Sequence, residues 1–306
     1  MRIPLVDLAA RHAEAAVAVE ARVLEVLRSG RWSGGPVVAE AERFAAQQLG
    51  RRAAVGVASG TDALMLGLQA LGVGPGDEVI VPALTFFATA GAVRAIGAQV
   101  AVADVDEAGL LDLASARSLV GPRTRAVIPV HLFGSVVPAP DLGAGVVVFD
   151  DAAQAVGSEA RLAGGPGCGV LTALSTYPTK TWGSAGDGGF VAGDDEALLA
   201  RVRLLGHHGA VEPHVHHPVS GHVGRASRLD AIAAAVLLGH AEVLGARVAR
   251  RRASAARYDA GLPAWARPLA RTPGSAVHQY CVRVPARDRD RVQGELGRRG
   301  IGSAVY

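Results

Sequence analysis

The chain has 306 residues, with 31 Lys or Arg against 28 Asp or Glu and a net charge of +3. With 50% hydrophobic, 19% charged and 4% aromatic residues it can bury a large core, and it has neither the basic excess nor the stacking platforms that nucleic-acid binding requires. Two cysteines, Cys168 and Cys281, make no disulfide framework and point to a reducing compartment, Met1-Arg2-Ile3-Pro4 carries no signal-peptide pattern, and no apolar run approaches a membrane span; a soluble cytoplasmic protein that binds neither membrane nor nucleic acid is expected.

A short extended piece, Ile3 to Leu8, leads into a helical run from about Ala13 to Leu27 that Ser29-Gly30 stops. Trp32-Ser33-Gly34-Gly35 is a turn-rich loop, and Val38 to Leu49 reads as an amphipathic helix ended by Gly50. The small-residue strand from Ala53 turns at Ser59-Gly60-Thr61 into a helix with Leu64, Leu68 and Leu71 on one face. Gly60 and Thr61 then sit at a helix N-terminus, where free N–H groups and the dipole favour phosphate; a plain Ser/Thr cap is the commoner meaning of such a motif standing alone. Asp77 to Pro82 is a strand, and Thr85 to Thr89 opens another helix. Phe86 at that junction is placed to stack on a planar cofactor, although a core role is the usual one for Phe. Val100–Val105 and Ala126–His131 are further strands around a helical run from Leu113 to Val120. This alternation predicts an α/β fold with a mostly parallel sheet and helices on both faces.

Val146 to Phe149 is an apolar strand emptying into Asp150 and Asp151. A carboxylate at the end of a buried strand fits the need of pyridoxal phosphate for an acid beside its ring nitrogen, because open α/β sheets bind ligands at the carboxyl ends of their strands. After one more strand comes Ser175-Thr176-Tyr177-Pro178-Thr179-Lys180, followed by Gly186-Asp187-Gly188-Gly189. Lys180 is the only lysine in the chain. An arbitrary lysine is far more often a solvated surface residue. In a tight Gly/Pro setting, however, lost hydration lowers the amine's pKa and makes it a nucleophile toward a carbonyl.

Gly189 to Ala192 is a short strand, and Asp194 to Leu205 a helix. His207, His208, His214, His216, His217 and His222 crowd the next segment without a clean ligand spacing, so a solvated loop is expected there and no metal site. Leu229 to about Leu262 reads as one long helix whose Arg247, Arg250, Arg251, Arg252 and Arg257 form a solvated face. Pro263 marks a bend, His278–Val284 a strand, Asp288–Arg299 a helix, and Ala304–Tyr306 the start of a last strand.

Taken in order, Ser59-Gly60-Thr61, Gly76 to Pro82, Thr85-Phe86, Pro129 to Gly134, Asp151-Ala152-Ala153-Gln154, and Ser175 with Lys180 resemble the DegT family of pyridoxal-phosphate sugar aminotransferases, over nearly the whole chain. The resemblance implies the type I transferase fold. It divides the chain into a large cofactor-binding domain over 1–240 and a small C-terminal α+β domain over 241–306, with the N-terminal segment packing on the latter. It implies that Lys180 holds the cofactor as a Schiff base and then moves the proton. Asp151 would pair with the pyridine nitrogen, and Gln154 with the phenolic oxygen. Gly60, Thr61 and Ser175 would hold the phosphate, and Phe86 would stack on the ring. It further implies a homodimer, a nucleotide-linked keto-sugar or keto-cyclitol substrate, and glutamate or glutamine as amino donor.

Two departures stand out. Where the family has Gly-x-Asn-x-Arg, whose Asn reaches the neighbouring subunit's cofactor phosphate, this chain reads Gly224-Arg225-Ala226-Ser227-Arg228. Family members also continue beyond the point matching Tyr306, so a small domain incomplete relative to the family is expected. Two alternatives stand beside transamination: a same-fold sugar dehydratase, whose known examples replace the lysine with histidine, and a non-catalytic family member acting as partner or regulator.

Overall fold

The computed structural model describes residues 2–138, 140–143, 145–159 and 169–306; Cys168 lies outside them. A seven-stranded sheet organises the large domain. In chain order its strands are β1 (Ala53–Val57), β2 (Glu78–Pro82), β3 (Gln99–Ala103), β4 (Thr124–Val127), β5 (Val147–Asp151), β6 (Leu171–Ser175) and β7 (Gly189–Gly193). Their spatial order is β1-β7-β6-β5-β4-β2-β3. β7 runs antiparallel to both neighbours, and every other pairing is parallel. β6 and β7 are buried along their whole lengths, which explains why they read as continuous apolar runs rather than alternating ones.

Two helical layers cover this sheet. On one face lie α4 (Gly60–Ala70), α5 (Phe87–Ala95) and α7 (Glu196–Leu205), which share a core with Ile80, Val127, Phe149 and Leu171. α4 presses so closely on β5 that a Cβ at Gly67 would stand 2.3 Å from the Phe149 ring, so only glycine fits there. On the other face, α3 (Pro36–Gln48) and α8 (Ala231–Ala241) enclose Trp182, Phe190 and Leu174. α2 (Ala16–Ser29) packs along α8, while α1 (Leu8–Ala13) and α6 (Leu113–Ser118) are short connectors. Several helices begin where the sequence offers a cap: the Ser59 hydroxyl accepts from Asp62 N–H, and Asp112, Asp195 and Asp230 do the same for α6, α7 and α8.

The helix expected over Leu229–Leu262 is two helices. α8 ends at Ala241, and α9 (Leu244–Gly261) leaves at 60° to it. The pattern reads as continuous because both pieces are alanine-rich. They differ in surroundings, for nine of the eleven α8 residues are buried, whereas α9 buries only Leu244, Arg247, Val248 and Ala255. No single helix among the described residues is long and apolar enough to cross a membrane. The histidine-rich segment is an exposed hairpin of β8 (Ala210–Glu212) and β9 (Val215–His216) rather than an unstructured loop. Beyond α9, β10 (Arg267–Pro268) pairs with β11 (Val282–Arg283), which is all that forms of the strand expected over His278–Val284. α10 (Arg289–Arg298) follows, and the expected strand at Ala304–Tyr306 is absent, its place taken by a parallel bridge between Ile301 and Ile3.

Candidate active site

The carboxyl ends of β5 and β6 and the turn after β1 meet at one place. Consecutive strand residues point to opposite sides, so the two acids ending β5 part company. Asp150 turns into the protein, where Arg51 reaches its carboxylate at 3.4 Å and Gly169 N–H donates at 2.9 Å. Asp151 turns toward α5, accepting from the Thr89 hydroxyl at 2.9 Å and from Ala153 N–H at 3.1 Å. It is 5% exposed, and none of the ion pairs among the described residues involves it. A buried carboxylate held by neutral donors is an unmet demand for a cation or a protonated ring nitrogen.

His131 braces this corner. Its backbone N–H donates to Asp151 O, its Nδ1 accepts from Val137 N–H at 3.1 Å, and its Nε2 lies 3.6 Å from Asp150. Burial holds its pKa below the usual histidine value against the pull of Asp150 and Asp151. One turn on, Gln154 accepts the Phe133 N–H at 2.6 Å through Oε1, which fixes the amide and leaves its NH2 as a donor.

Lys180 lies in the loop between β6 and β7. Burial lowers its pKa, and the charge of Asp151 partly restores it. The loop is held from several sides. Arg11, on α1, donates to the carbonyls of Pro178 (2.8 Å), Lys180 (2.6 Å) and Thr181 (3.3 Å). Trp182 stacks on Phe190 and donates to Leu237 O, while His240 Nδ1 donates to Gly183 O at 2.7 Å. His278 is buried against Thr181, and burial, with Lys180, Arg251 and Arg11 nearby, pushes its pKa down to about 3.

Gly60 opens α4 directly beneath Ser175; a Cβ there would lie 2.5 Å from the Ser175 Cβ. Thr61 beside it is exposed and Ser175 is 9% exposed. A helix N-terminus, a hydroxyl and a position that admits no side chain form a cradle suited to a phosphate. Phe86, 64% exposed, precedes the first residue of α5. Lys180, Asp151, Gln154, Gly60, Thr61, Ser175 and Phe86 therefore all belong to the ends of β1, β2, β5 and β6 and the loops that follow them. Together they match pyridoxal phosphate: an amine, a ring-side carboxylate, an amide donor, a phosphate cradle and a face for the ring. Ala226 does not join them; it bridges to His207, and Arg225 is bound to Asp62 at 3.0 Å in the first turn of α4. Among the described residues no three His, Cys, Asp or Glu side chains converge on a metal position.

Thr89, Arg11, His131, His240 and His278 escaped the reading of functional residues. Thr89 carried a signal, lying one helical turn beyond Thr85 on the Asp151 side of α5. Arg11 carried none, since its partners lie about 170 positions away.

The profile of the DegT/DnrJ/EryC1/StrS aminotransferase family matches residues 14–306. A dTDP-3-amino-3,4,6-trideoxy-alpha-D-glucose transaminase of Streptomyces venezuelae is 38% identical over all of this chain and 82% of its own length. A pleiotropic regulatory protein of Geobacillus stearothermophilus is 35% identical over all of this chain and 84% of its own. Among solved structures, NtdA of Bacillus subtilis with bound pyridoxamine phosphate superposes with a TM-score of 0.90 at 27% identity, covering all of this chain and 72% of that one. This chain belongs to the DegT/DnrJ/EryC1/StrS aminotransferase family.

Proposed function

We propose that this enzyme uses pyridoxal phosphate to transaminate the ketone of a nucleotide-linked keto-sugar, or a related keto-cyclitol. The observation that carries the reading is a single desolvated lysine facing a buried carboxylate that has no cation of its own. Bound there, the cofactor supplies an electron sink conjugated to the substrate's amine carbon. The chain's own residues do the rest. Asp151, oriented by Thr89 and Ala153, holds a proton on the ring nitrogen. Gln154, oriented by Phe133, donates its NH2 to the phenolic oxygen. Gly60, Thr61 and Ser175 take the phosphate, and Phe86 covers the ring. Lys180 would hold the cofactor through its amine and, when free, that amine would hold and move a proton at the reacting carbon, a task suited to an amine whose pKa burial has lowered.

The nucleotide-linked substrate is supported by the Streptomyces relative's transaminase activity. We further assign glutamate or glutamine as donor, a cytoplasmic homodimer as the working form, and a division into a large domain (1–240) and a small domain (241–306) at the end of α8, just before its bend into α9. A regulatory role is favoured by the Geobacillus relative's name and opposed by the retained Lys180 and Asp151. The retained lysine also opposes the same-fold dehydratase. Incubating reconstituted protein with a panel of nucleotide-linked keto-sugars and each donor, with mass-spectrometric detection of the amine, tests the proposal. An amino-sugar product supports it; cofactor binding without amine formation from any pair would contradict it.

A further inference from the structure

Behind the lysine loop, on the side of α1 and α9, lies a cavity of about 430 Å³. Its wall carries four arginines, Arg11, Arg247, Arg250 and Arg251, against one acid, Glu14. Glu14 accepts from Arg247 Nε at 3.1 Å and Arg250 Nη2 at 2.6 Å, and these pairs hold its pKa below the usual carboxylate range despite some burial. One carboxylate cannot neutralise four guanidiniums. The imbalance is visible in the hydrogen bonds, since Arg247, whose side chain is 4% exposed, leaves Nη1 without a partner, and Arg11 leaves Nε without one. Tyr258 and Tyr280, packed on one another with ring centroids 4.9 Å apart, close the far wall. Guanidinium groups crowded round one acid, with buried N–H groups left unpaired, are costly to the fold, and an anion in the cavity offsets that excess of positive charge.

We infer that this cavity is a second anion site, separate from the phosphate cradle at α4, that binds a small molecule bearing two or more negative charges. Both phosphate and carboxylate chemistry suit guanidinium forks. A diphosphate and a dicarboxylate are the two sources of that chemistry available to the proposed reaction. The site also touches the catalytic loop. Arg11 lines the cavity while its two terminal nitrogens hold the carbonyls of Pro178, Lys180 and Thr181. An anion bound in the cavity therefore sits against the side chain that positions Lys180.

The test is calorimetric titration of the holoenzyme, its phosphate cradle already filled, with inorganic pyrophosphate and separately with glutarate at low ionic strength. At least one is expected to bind with a sub-millimolar Kd; tighter pyrophosphate identifies the phosphate source, and tighter glutarate the dicarboxylate source. Arg250 is exposed and pairs only with Glu14, so both variants at this position should fold. Arg250→Gln should weaken binding at least tenfold, and Arg250→Lys, which keeps the charge, should restore most of it. No binding of either probe to the parent, or equal Kd values for the parent and Arg250→Gln, overturns the inference.

Discussion

Burial lowers the Lys180 pKa, and the charge of Asp151 opposes that shift. Replacing Asp151 with Asn keeps the Thr89 and Ala153 contacts within reach but removes the charge that holds the ring nitrogen protonated. Losing a nearby opposite charge moves a pKa by roughly one to three units, at about 1.4 kcal/mol per unit. The variant should retain cofactor while turnover falls by about one to three decades; parental turnover would show that Asp151 is not the ring-nitrogen partner. His278 gives a stability signature. Its pKa of about 3 in the fold lies below the usual histidine value of 6.5, so the unfolded chain binds the extra proton first. Its contribution is complete above pH 6.5 and is lost as pH falls toward 3, with a slope approaching ~1.4 kcal/mol per pH unit. Denaturant melts of the apoprotein between pH 7 and 4 should show His278→Asn losing less stability than the parent; parallel curves would refute the assignment. Among the candidates, Asp151, Ser175, Gly60, Thr61 and Phe86 were legible because each lies where a strand ends or a helix opens, and Gln154 and Lys180 because they lie in the loops just after β5 and β6. Arg11 and His278 were not, since a polar side chain whose partner lies far along the chain leaves no local pattern.

The elements that matter most are α4 and the strands it underlies. Its start is packed against Ser175 with no room for a methyl group, so Gly60→Ala must displace either the helix N-terminus or the hydroxyl. Cofactor affinity is expected to fall at least tenfold, about 1.4 kcal/mol, read by titrating pyridoxal phosphate into the apo variant; an unchanged Kd would mean that the phosphate sits elsewhere. In the same first turn, Asp62 pairs with Arg225, whose Nε donates to its carboxylate at 3.0 Å. Arg225→Ala frees an acid near the phosphate and should weaken cofactor binding two- to fivefold, on the order of 0.5–1 kcal/mol for a partly exposed pair. Equal affinity would show that Asp62 lies outside the phosphate's field. Within the stretch Gly224–Arg228, Arg225 thus pairs with Asp62 of its own chain, while Ala226 bridges to His207. Sheet and helix alternation was readable because periodicity changes at each junction. The α8–α9 break was not readable, because alanine-rich sequence is helical on both sides and the bend at 242–243 is set by burial of α8 alone.

At the scale of the whole molecule, the proposed homodimer has a visible motive. Phe87 is 82% exposed and Val223 80%, and Phe86 and Trp32 stand exposed as well. Large apolar groups left in water, such as Phe87, Val223 and Trp32, are the kind of surface that another chain covers. Sedimentation should give twice the 31.2 kDa chain mass, and the melting temperature should rise with protein concentration, since a partner that binds only the folded state stabilises it by mass action. A monomeric mass with a concentration-independent melt would contradict this.

The central claim is that Lys180 carries the cofactor, and its being the only lysine makes one measurement decisive. Borohydride reduction of the reconstituted protein, followed by peptide mass mapping, should place one cofactor per chain on the peptide containing Lys180, and Lys180→Ala should lose both the adduct and all transamination. Attachment at another amine, or a Lys180→Ala protein that keeps both, would contradict the account.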